Sequence, residues 1–383
     1  MFTCSATTAF GLEAPLKREI TNLGATVIST HNGSVYFHAD KPMIIKANLW
    51  LRTAEHVHIV LARETVKDFN ALFNFIEALP FGNYLHKDGR FVVNARSNKS
   101  SLYSLRDIQK ITKKALIESM KRTHPSTEFK EGGPTFGVLV NIQEDVAEVL
   151  LDTSGEALHR RGYRTDAGEA PMKETLAAAL VQLSFYDAHR VFIDPFCGSG
   201  TLAIEAAMIG RNMAPGLNRR FAFEHFSFIP KSLIKSTRKE VLQAIDYEKT
   251  LTIYASDVAY DMITIAKENA AEAGVIDDIH FQIADFRHLD FSVPNAVIVT
   301  NPPYGNRLGD GANDLEPLYK DLGSIIRSHT DHSYFVITPF IGFENVVGKR
   351  ANKTRVLFNG RIKARFYQYH GPPPARDDNV TKA

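Results

Sequence analysis

The stretch Val191–Thr201, VFIDPFCGSGT, joins a buried-strand pattern to a turn that contains two glycines. Apolar residues precede Asp194, the glycines stand at positions 198 and 200, and an alanine-rich helix pattern begins at Leu202. This order predicts a strand, a tight turn and a helix start, as in open α/β sheets. Ligands of such sheets bind beyond the carboxyl ends of the strands, where glycine allows a close approach. A turn without a ligand stays open as an alternative, and the glycine spacing disfavours a phosphate-cradling loop.

A second stretch, Ala296–Gly305, runs from an apolar strand pattern into Asn-Pro-Pro-Tyr-Gly. The two prolines end the strand and stiffen the turn, so Asn301 and Tyr304 are expected at the same sheet edge as Asp194. The two motifs stand in this order about a hundred residues apart. Together they resemble the S-adenosylmethionine (SAM) methyltransferases that alkylate exocyclic amino groups of nucleobases. A rigid turn without chemistry is the alternative for the second motif.

Strand and helix patterns alternate through residues 171–371, which predicts an α/β domain with a mostly parallel sheet. Asn359-Gly360 lies between two strand patterns and predicts a terminal antiparallel hairpin. With the resemblance, these patterns imply a Rossmann-like SAM methyltransferase domain with a seven-stranded sheet. The polar tail, residues 372–383, is predicted to be disordered.

Two smaller α+β units are expected before this domain. Residues 1–60 carry helix and hairpin patterns without a catalytic motif, and we expect a ferredoxin-like unit. Residues 61–155 resemble the THUMP domain, an RNA-binding module of RNA-modifying enzymes. Residues 156–170 are expected to form a basic linker. In the insertion 211–248, phenylalanines alternate with cations, which suits either nucleic-acid binding or a helical lid on the catalytic sheet.

Positive charge is concentrated locally although the net charge is only +2. Eleven lysines and arginines lie between Leu85 and Lys130, against four acidic residues. Attraction to phosphates would explain this excess, and a solvated helix face is the alternative. The candidate RNA-binding residues are Arg96, Lys99, Lys110, Lys113, Lys114, Arg160, Arg161 and Arg164.

The composition indicates where the protein is located and whether it binds a metal. No apolar run approaches the ~20 residues of a membrane helix, and the N-terminus lacks the pattern of a secretory signal. Only two cysteines are present, Cys4 and Cys197, which makes a disulfide framework unexpected. We therefore expect a cytoplasmic protein without membrane contact. The histidines are scattered along the chain, so no metal site is expected.

Acidic residues at strand ends are candidates for binding the cofactor. Asp257 suits the ribose hydroxyls because a carboxylate can accept from both, and Asp285 could accept from the adenine amino group. Phe286 would lie beside the adenine ring, and Asp194 near the methionine amino group. For Asp257 and Asp285 a helix-capping or turn role is the alternative. The resemblance implies that SAM, with S-adenosylhomocysteine (SAH) as product, also contacts Lys173, Glu174, Thr175, Phe196, Gly198, Gly200 and Thr201.

The Asn-Pro-Pro-Tyr motif offers acceptors for the amino group of a base. The lone pair of an exocyclic amine is delocalised, and hydrogen-bond acceptors on its hydrogens would localise it and stabilise the growing positive charge. The side-chain oxygen of Asn301 and the carbonyl of Pro302 could be these acceptors. Tyr304 could stack on the base, which must be flipped out or single-stranded.

The combination of THUMP-like and methyltransferase-like regions resembles the bacterial family that makes N2-methylguanosine in 23S ribosomal RNA. Relatives act on transfer RNA, and some members fuse a second methyltransferase domain, which is not expected here. The resemblance implies ribosomal RNA or a ribosomal precursor as the partner. Adenine-N6 methylation of DNA or RNA, a glutamine side-chain amide as acceptor, and a non-catalytic RNA-binding assembly factor remain alternatives.

Overall fold

The computed structural model describes residues 1–124, 129–164, 172–304 and 315–372, and the chain divides into two compact units. The first unit comprises Met1–Thr8, Leu16–Arg160 and Ala214–Ala244. The second unit comprises Ala9–Pro15, Arg161–Met213 and Ile245–Ala383. None of the helices in the described ranges has the length and apolar character needed to span a membrane. The predicted disordered tail lies outside the described residues except for Pro372, as does part of the predicted linker, residues 165–170.

The chain up to residue 152 forms seven strands and four helices within the described residues. In chain order they are β1 (Phe2–Thr7), α1 (Glu13–Asn22), β2 (Val27–His31), β3 (Ser34–Ala39), α2 (Lys41–Trp50), β4 (His56–Thr65), α3 (Phe69–Ala78), β5 (Arg90–Asn98), α4 (Leu105–Thr123), β6 (Thr135–Gln143) and β7 (Val146–Asp152). The strands make one sheet in the order β2-β3-β1-β4-β7-β6-β5. Only the β5–β6 pair is parallel among its pairings.

Strand β4 differs from the sequence expectation, because no strand is predicted over this stretch. It crosses the expected boundary at residue 60 and pairs with β1 on one side and β7 on the other. A register shift between Val60 and Ala62 breaks the alternation of apolar and polar side chains. Because of this bulge, the sequence does not show the two-residue alternation by which a strand is recognised.

The remaining elements begin at residue 174. In chain order they are α5 (Glu174–Leu183), β8 (Phe192–Asp194), α6 (Thr201–Gly210), α7 (Lys231–Gln243), β9 (Ile253–Asp257), α8 (Tyr260–Glu272), β10 (Ile279–Ile283), β11 (Val297–Thr300), α9 (Glu316–Ser328), β12 (Ser333–Thr338), α10 (Phe343–Val347), β13 (Lys353–Asn359) and β14 (Ile362–Tyr369). The second sheet has the order β10-β9-β8-β11-β12-β14-β13. Its first five strands are parallel, and β14 and β13 are antiparallel. The predicted fold class is therefore confirmed, including the terminal hairpin.

Most of the insertion packs within the first unit. Residues 214–244 belong to the first unit, where Phe221, Phe223 and Phe226 are buried in its hydrophobic core. The ring of Phe226 lies 5.7 Å from that of Phe136. Gly216 donates to the carbonyl of Leu49, and a Cβ at position 216 would lie only 2.8 Å from the Leu49 Cα. The expected lid is wrong because an apolar pattern does not specify which core receives it.

Candidate active site

The carboxyl ends of four adjacent parallel strands define the candidate active site. β10, β9, β8 and β11 are neighbours in the second sheet, so the residues that follow them lie along one edge. Side-chain hydrogen bonds link these ends. The hydroxyl of Thr300 donates to Asp194 Oδ1 over 2.9 Å, and the amide of Gly198 donates to Asp257 Oδ2 over 3.0 Å. The edge thus carries the acidic and amide side chains that the sequence singles out.

The two glycines of the first motif have different roles. Gly200 has φ +82°, and a Cβ there would lie 3.0 Å from the Cβ of Ala266 in α8. This position therefore needs glycine for helix packing as well as for its backbone conformation. Gly198 has φ +50°, and a Cβ there would meet no described atom within 4 Å. The space beside Gly198 lets a ligand approach the backbone of the loop.

Asp194 is a buried carboxylate that is only half satisfied. Its Oδ1 accepts from Thr300 and from the amide of Phe196, at 2.9 and 3.3 Å. Its Oδ2 is buried and has no hydrogen-bond partner in the described part of the chain. Burial, opposed by the two hydrogen bonds, raises the pKa of Asp194 to about 7. A cationic amino group at Oδ2 would satisfy both the lone pairs and the charge.

Asp257 makes the contacts of a capping residue. Its Oδ2 accepts from Gly198, and its Oδ1 accepts from the amide of Ala259 over 3.0 Å, just before α8. Each carboxylate oxygen has a second lone pair, so these bonds leave acceptor capacity for hydroxyl groups. The ribose role of Asp257 stays a prediction.

Asp285 is already engaged by a residue that the sequence reading missed. Its carboxylate accepts from the guanidinium of Arg287 at 2.9 and 2.5 Å and also from the Arg287 amide. The side-chain hydrogen bond from Arg287 lowers the pKa of Asp285 to about 2. These contacts match the turn-residue alternative, and the adenine role stays a prediction. Phe286 is buried, with its ring 4.8 Å from that of Phe196, so the two predicted aromatic residues are adjacent.

The Asn-Pro-Pro-Tyr segment presents a buried acceptor directly after β11. The Oδ1 atom of Asn301 is buried and finds no hydrogen-bond partner among the residues described. Pro302 is buried, and the carbonyl of Pro303 accepts from the Tyr319 hydroxyl over 3.3 Å. The Tyr304 hydroxyl accepts from Asn359 Nδ2 over 3.4 Å. Gly305 lies outside the described residues.

Tyr319, Thr338 and Asn359 support this segment, although sequence reasoning did not identify them. The hydroxyls of Tyr319 and Thr338 are 2.8 Å apart and buried, at the carboxyl end of β12. These three residues belong to α9, β12 and β13, so they support the segment only because the fold brings these elements together. Of the three, only Thr338 could have been identified from sequence. Like Asp194, it lies at the carboxyl end of a parallel strand, where ligands bind.

Lys173, Glu174 and Thr175 begin helix α5, where Lys173 is the N-cap residue. Glu174 Oε1 is 3.3 Å from Arg164 Nε, and Arg164 Nη2 donates to Thr201 Oγ1 over 2.9 Å. Arg164 also donates to the carbonyl of Met172. One guanidinium therefore ties the start of α5 to the start of α6, and both helix starts carry residues predicted to bind the cofactor.

Arg161 and Arg164, two of the predicted RNA-binding residues, lie next to acidic side chains of the second unit. Arg161 is 3% exposed, and its Nε lies 3.4 Å from Oε1 of Glu205 in α6, which is fully buried. Tyr163 donates to the same carboxylate. Arg164 is held by Glu174 and Thr201. Each guanidinium is engaged by a buried acid, which disfavours a role in phosphate binding, and the single glutamate within an apolar helix was the overlooked signal for such a pair.

The other basic candidates lie at the surface of the first unit. Arg96, Lys99, Lys110, Lys114 and Arg160 are exposed, and Lys113 is half-buried. Lys113 Nζ is 2.6 Å from Glu131 Oε1, and Lys114 Nζ lies 5.9 Å from the centre of the Phe73 ring. A pocket between β5 and α4 is lined by Arg90, Val92, Gln109, Lys110, Lys113 and Glu131. Their RNA-binding role stays a prediction.

Family models match three consecutive parts of the chain. Residues 3–58 match the RlmL ferredoxin-like domain, residues 66–152 the THUMP domain, and residues 161–368 the RMKL-like methyltransferase domain. The last match covers more than half of the chain.

Two curated relatives show how far the similarity extends. The Bacillus subtilis protein "Putative RNA methyltransferase YpsC" is 43% identical over 96% of each chain. The "Ribosomal RNA large subunit methyltransferase K/L" of Shewanella baltica is 30% identical over 97% of this chain. The chain spans only 53% of the length of that second relative.

Two solved structures share the fold over nearly the whole chain. A Listeria monocytogenes protein described as "a predicted N6-adenine-specific DNA methylase" is 41% identical with a TM-score of 0.91, covering 97% of this chain and 96% of the other. SMU.472, described as "a putative methyltransferase complexed with SAH", is 38% identical with a TM-score of 0.91, covering 97% and 98%.

The cofactor agrees with the local structure. The partnerless Asp194 Oδ2 and the open space at Gly198 fit an amino acid cation and a nucleoside along the strand ends. The relatives, the matched domains and this edge agree with one another. The chain belongs to the family of SAM-dependent methyltransferases in which an RMKL-like methyltransferase domain follows an RlmL ferredoxin-like domain and a THUMP domain.

Proposed function

We propose that the protein methylates the exocyclic N2 amino group of a guanine in large-subunit ribosomal RNA. The coarser activity, RNA methylation, is supported by the THUMP match and by the name of the Bacillus subtilis relative. The name of the K/L relatives supports ribosomal RNA as the substrate. A cytoplasmic site of action suits the two cysteines, which are both free and buried.

The observation that carries the proposal is the Oδ1 atom of Asn301, a buried acceptor to which no described residue donates. A buried polar atom without a partner costs on the order of 1–3 kcal/mol, so its persistence suggests that a ligand satisfies it. An amino group is the complementary donor, and Asn301 directly follows the strand next to Asp194 in the sheet. In this proposal, Asn301 Oδ1 accepts a hydrogen bond from the amino group of the substrate. Its role is to bind the substrate and not to stabilise the fold.

The residues of the motif would divide the work on the substrate. Asn301 Oδ1 and the Pro302 carbonyl accept the two amino hydrogens, which localises the nitrogen lone pair and stabilises the charge that develops on nitrogen. Tyr304 stacks on the base, and its hydroxyl is held by Asn359. The rigid prolines keep these groups in place before the substrate binds, so alignment costs little at the moment of transfer.

The cofactor would lie along the neighbouring strand ends. Asp194 binds the amino group of the methionine part, and Asp257 binds the ribose hydroxyls. The backbone of the loop at Gly198 lies against the cofactor. Phe196 and Phe286 provide an apolar wall for the adenine. Bound SAM supplies a methyl group that is already activated by its sulfonium charge. The protein contributes position and acceptors and needs no covalent step of its own.

For the domains we propose the bounds expected from the sequence, with one change. The ferredoxin-like unit comprises residues 1–60, the THUMP-like unit residues 61–155 and the methyltransferase domain residues 171–371. The change concerns residues 214–244, which contribute to the core of the first unit. The RNA-binding face consists of Arg96, Lys99, Lys110, Lys113, Lys114 and Arg160.

The test is methyl transfer from labelled SAM to ribosomal RNA, transfer RNA and DNA from cells that lack the protein. The product is digested, and the modified nucleoside is identified by mass. N2-methylguanosine in large-subunit ribosomal RNA is the expected result. N6-methyladenosine would instead support adenine as the substrate, which the name of the Listeria structure favours. If the protein binds SAM but transfers no methyl group to any of the RNAs, the proposal is contradicted.

The Asn301→Ala variant tests the role of the acceptor. We expect a loss of at least about 100-fold in the transfer rate, because one interaction made to developing charge contributes about this much. SAM affinity should change less than about threefold, since the side chain contacts only the substrate in this proposal. Asn345→Ala, the same substitution at an exposed position of α10, is the matched control and should keep full activity. Full activity in Asn301→Ala would refute the mechanism.

A further inference from the structure

A cluster of three ligand-type side chains lies in the first sheet, outside the active site. It consists of His56 and His58 of β4 and Asp152 of β7. We propose that these three residues form a binding site for a divalent transition metal of the zinc class. Asp152 lies 94 positions after His58, which explains why the sequence gives no metal motif.

The strand geometry brings the three side chains to one face. Residues two apart on a strand point to the same side, so the His-x-His pair of β4 is aligned. Asp152 is the register partner of His58 across the β4–β7 ladder. His56 Nδ1 is 3.1 Å from Asp152 Oδ2, and one donor atom of each residue lies within 4.8 Å of the other two. Ligand atoms on one tetrahedral zinc lie about 3.4 Å apart, so a shift of at most about 1.4 Å completes the set.

Two features prepare the cluster for an ion. The other carboxylate oxygen of Asp152 accepts from the amides of Ser154 and Gly155, at 2.8 and 3.3 Å, and this fixes the orientation of the ligand oxygen. His58 is 5% exposed, and its Nδ1 has no hydrogen-bond partner anywhere in the described ranges. A buried nitrogen of this kind is satisfied by a metal or by water.

Charged side chains act on the cluster. Asp152 supplies negative charge, and the Arg96 guanidinium carries a positive charge that acts on His58. The Arg96 guanidinium is the one cation among these groups whose charge opposes a metal, so replacing it should strengthen binding.

The site would have a structural role. Its histidines lie in the RlmL ferredoxin-like match, residues 3–58, and its aspartate ends the THUMP match, residues 66–152. A metal would therefore link two adjacent strands that come from two domain families. Partial exposure of His56 and Asp152 leaves a coordination position for water and a path for entry. The inference does not depend on the proposed methyl acceptor.

Zinc chloride is the probe, used with the full chain after treatment with a chelator and dialysis. We expect one equivalent of Zn²⁺ to bind in calorimetry, and one equivalent of Co²⁺ to give visible absorption bands of a low-symmetry site. The melting temperature should rise with zinc and stop rising at one equivalent. Binding of no ion by the wild-type protein would overturn the proposal.

Two ligand variants and one control assign the site. His56→Ala removes a half-buried ligand, and Asp152→Asn keeps an acceptor for the Ser154 amide, so both should fold. Each should weaken Zn²⁺ binding at least about tenfold. His38→Ala, at an exposed position of β3, should leave it unchanged. Equal affinity in wild type and His56→Ala would place the ion elsewhere and refute the site, whether or not Asp152→Asn folds. Arg96→Gln should bind more tightly than wild type.

Discussion

Helix α4 and the segment 160–164 are both basic in sequence but differ in structure. The lysines of α4 point outward or lie at its edge, and Lys110 and Lys114 are exposed. In the second unit, Arg161 is buried and Arg164 is half-buried, and they pair with Glu205 and Glu174, respectively. The cations of a basic run can therefore have either of two environments. They stay exposed, or they pair in the core with an acidic side chain from a distant element. Exposed cations remain available for phosphates, whereas buried cations hold the fold together.

The largest effect should come from breaking a buried pair. Arg161→Met leaves the fully buried Glu205 without its cation, and such a change costs about 3–5 kcal/mol in the free energy of unfolding. Chemical unfolding followed by fluorescence would measure it. Arg160→Ala, one residue earlier and exposed, is the control and should leave the unfolding midpoint nearly unchanged. Similar midpoints for the two variants would contradict the difference between buried and exposed cations.

The next effect concerns pH, through Asp194. Its pKa of about 7 lies above that of an unfolded aspartate, so the folded state holds an extra proton between about pH 4 and 7. The stability that this group contributes is present below about pH 4 and is lost as the pH rises to about 7. Binding of a cationic amino group should show the reverse dependence. SAM affinity should rise by about tenfold per pH unit below pH 7 and level off above it.

Two variants identify the group responsible for this pH profile. Asp194→Asn should flatten it and weaken SAM binding. Asp285→Asn should keep it, because Arg287 already holds the pKa of Asp285 at about 2, outside the range tested. Calorimetric titration with SAM between pH 6 and 8 is the measurement. An unchanged slope in Asp194→Asn would show that another group binds the cation.

The smallest effect is expected from the exposed lysines. Lys113→Glu with Lys114→Glu should lower RNA affinity by about tenfold and reduce the slope of affinity against salt by about 2, one per lost phosphate contact. Filter binding to ribosomal RNA at several salt concentrations would show this. Lys235→Glu with Lys239→Glu, two exposed positions of α7, changes the net charge equally and is the control. Equal losses in both variants would indicate a general charge effect.

Much of the second sheet could be predicted from sequence. The apolar patterns before Asp194 and Asn301 correspond to β8 and β11, and the pattern around Asn359-Gly360 corresponds to the hairpin of β13 and β14. The positions of Asp194 and Asn301 followed from strand polarity alone. The unsatisfied state of their oxygen atoms did not, since it depends on burial by residues far away in the chain.

Other features required the three-dimensional structure. The pair Arg161–Glu205 joins residues 44 apart, and the Tyr319–Thr338 contact depends on how α9 packs near the end of β12. Strand β4 was missed because a bulge interrupts its alternation. The phenylalanines of the insertion were read correctly as apolar packing residues but assigned to the wrong core. Local patterns identify an element, and only tertiary contacts identify its partner.

The position of residues 214–244 affects how the protein can be made. This segment lies within the chain of the methyltransferase match but completes the core of the first unit with Phe221, Phe223 and Phe226. During synthesis, the N-terminal domains cannot finish folding until residue 244 has left the ribosome, when β8 and α6 have already emerged. A fragment that ends at residue 160 would expose the apolar surface that this segment covers. Because the chain passes between the two units more than once, no single cut in the chain separates them.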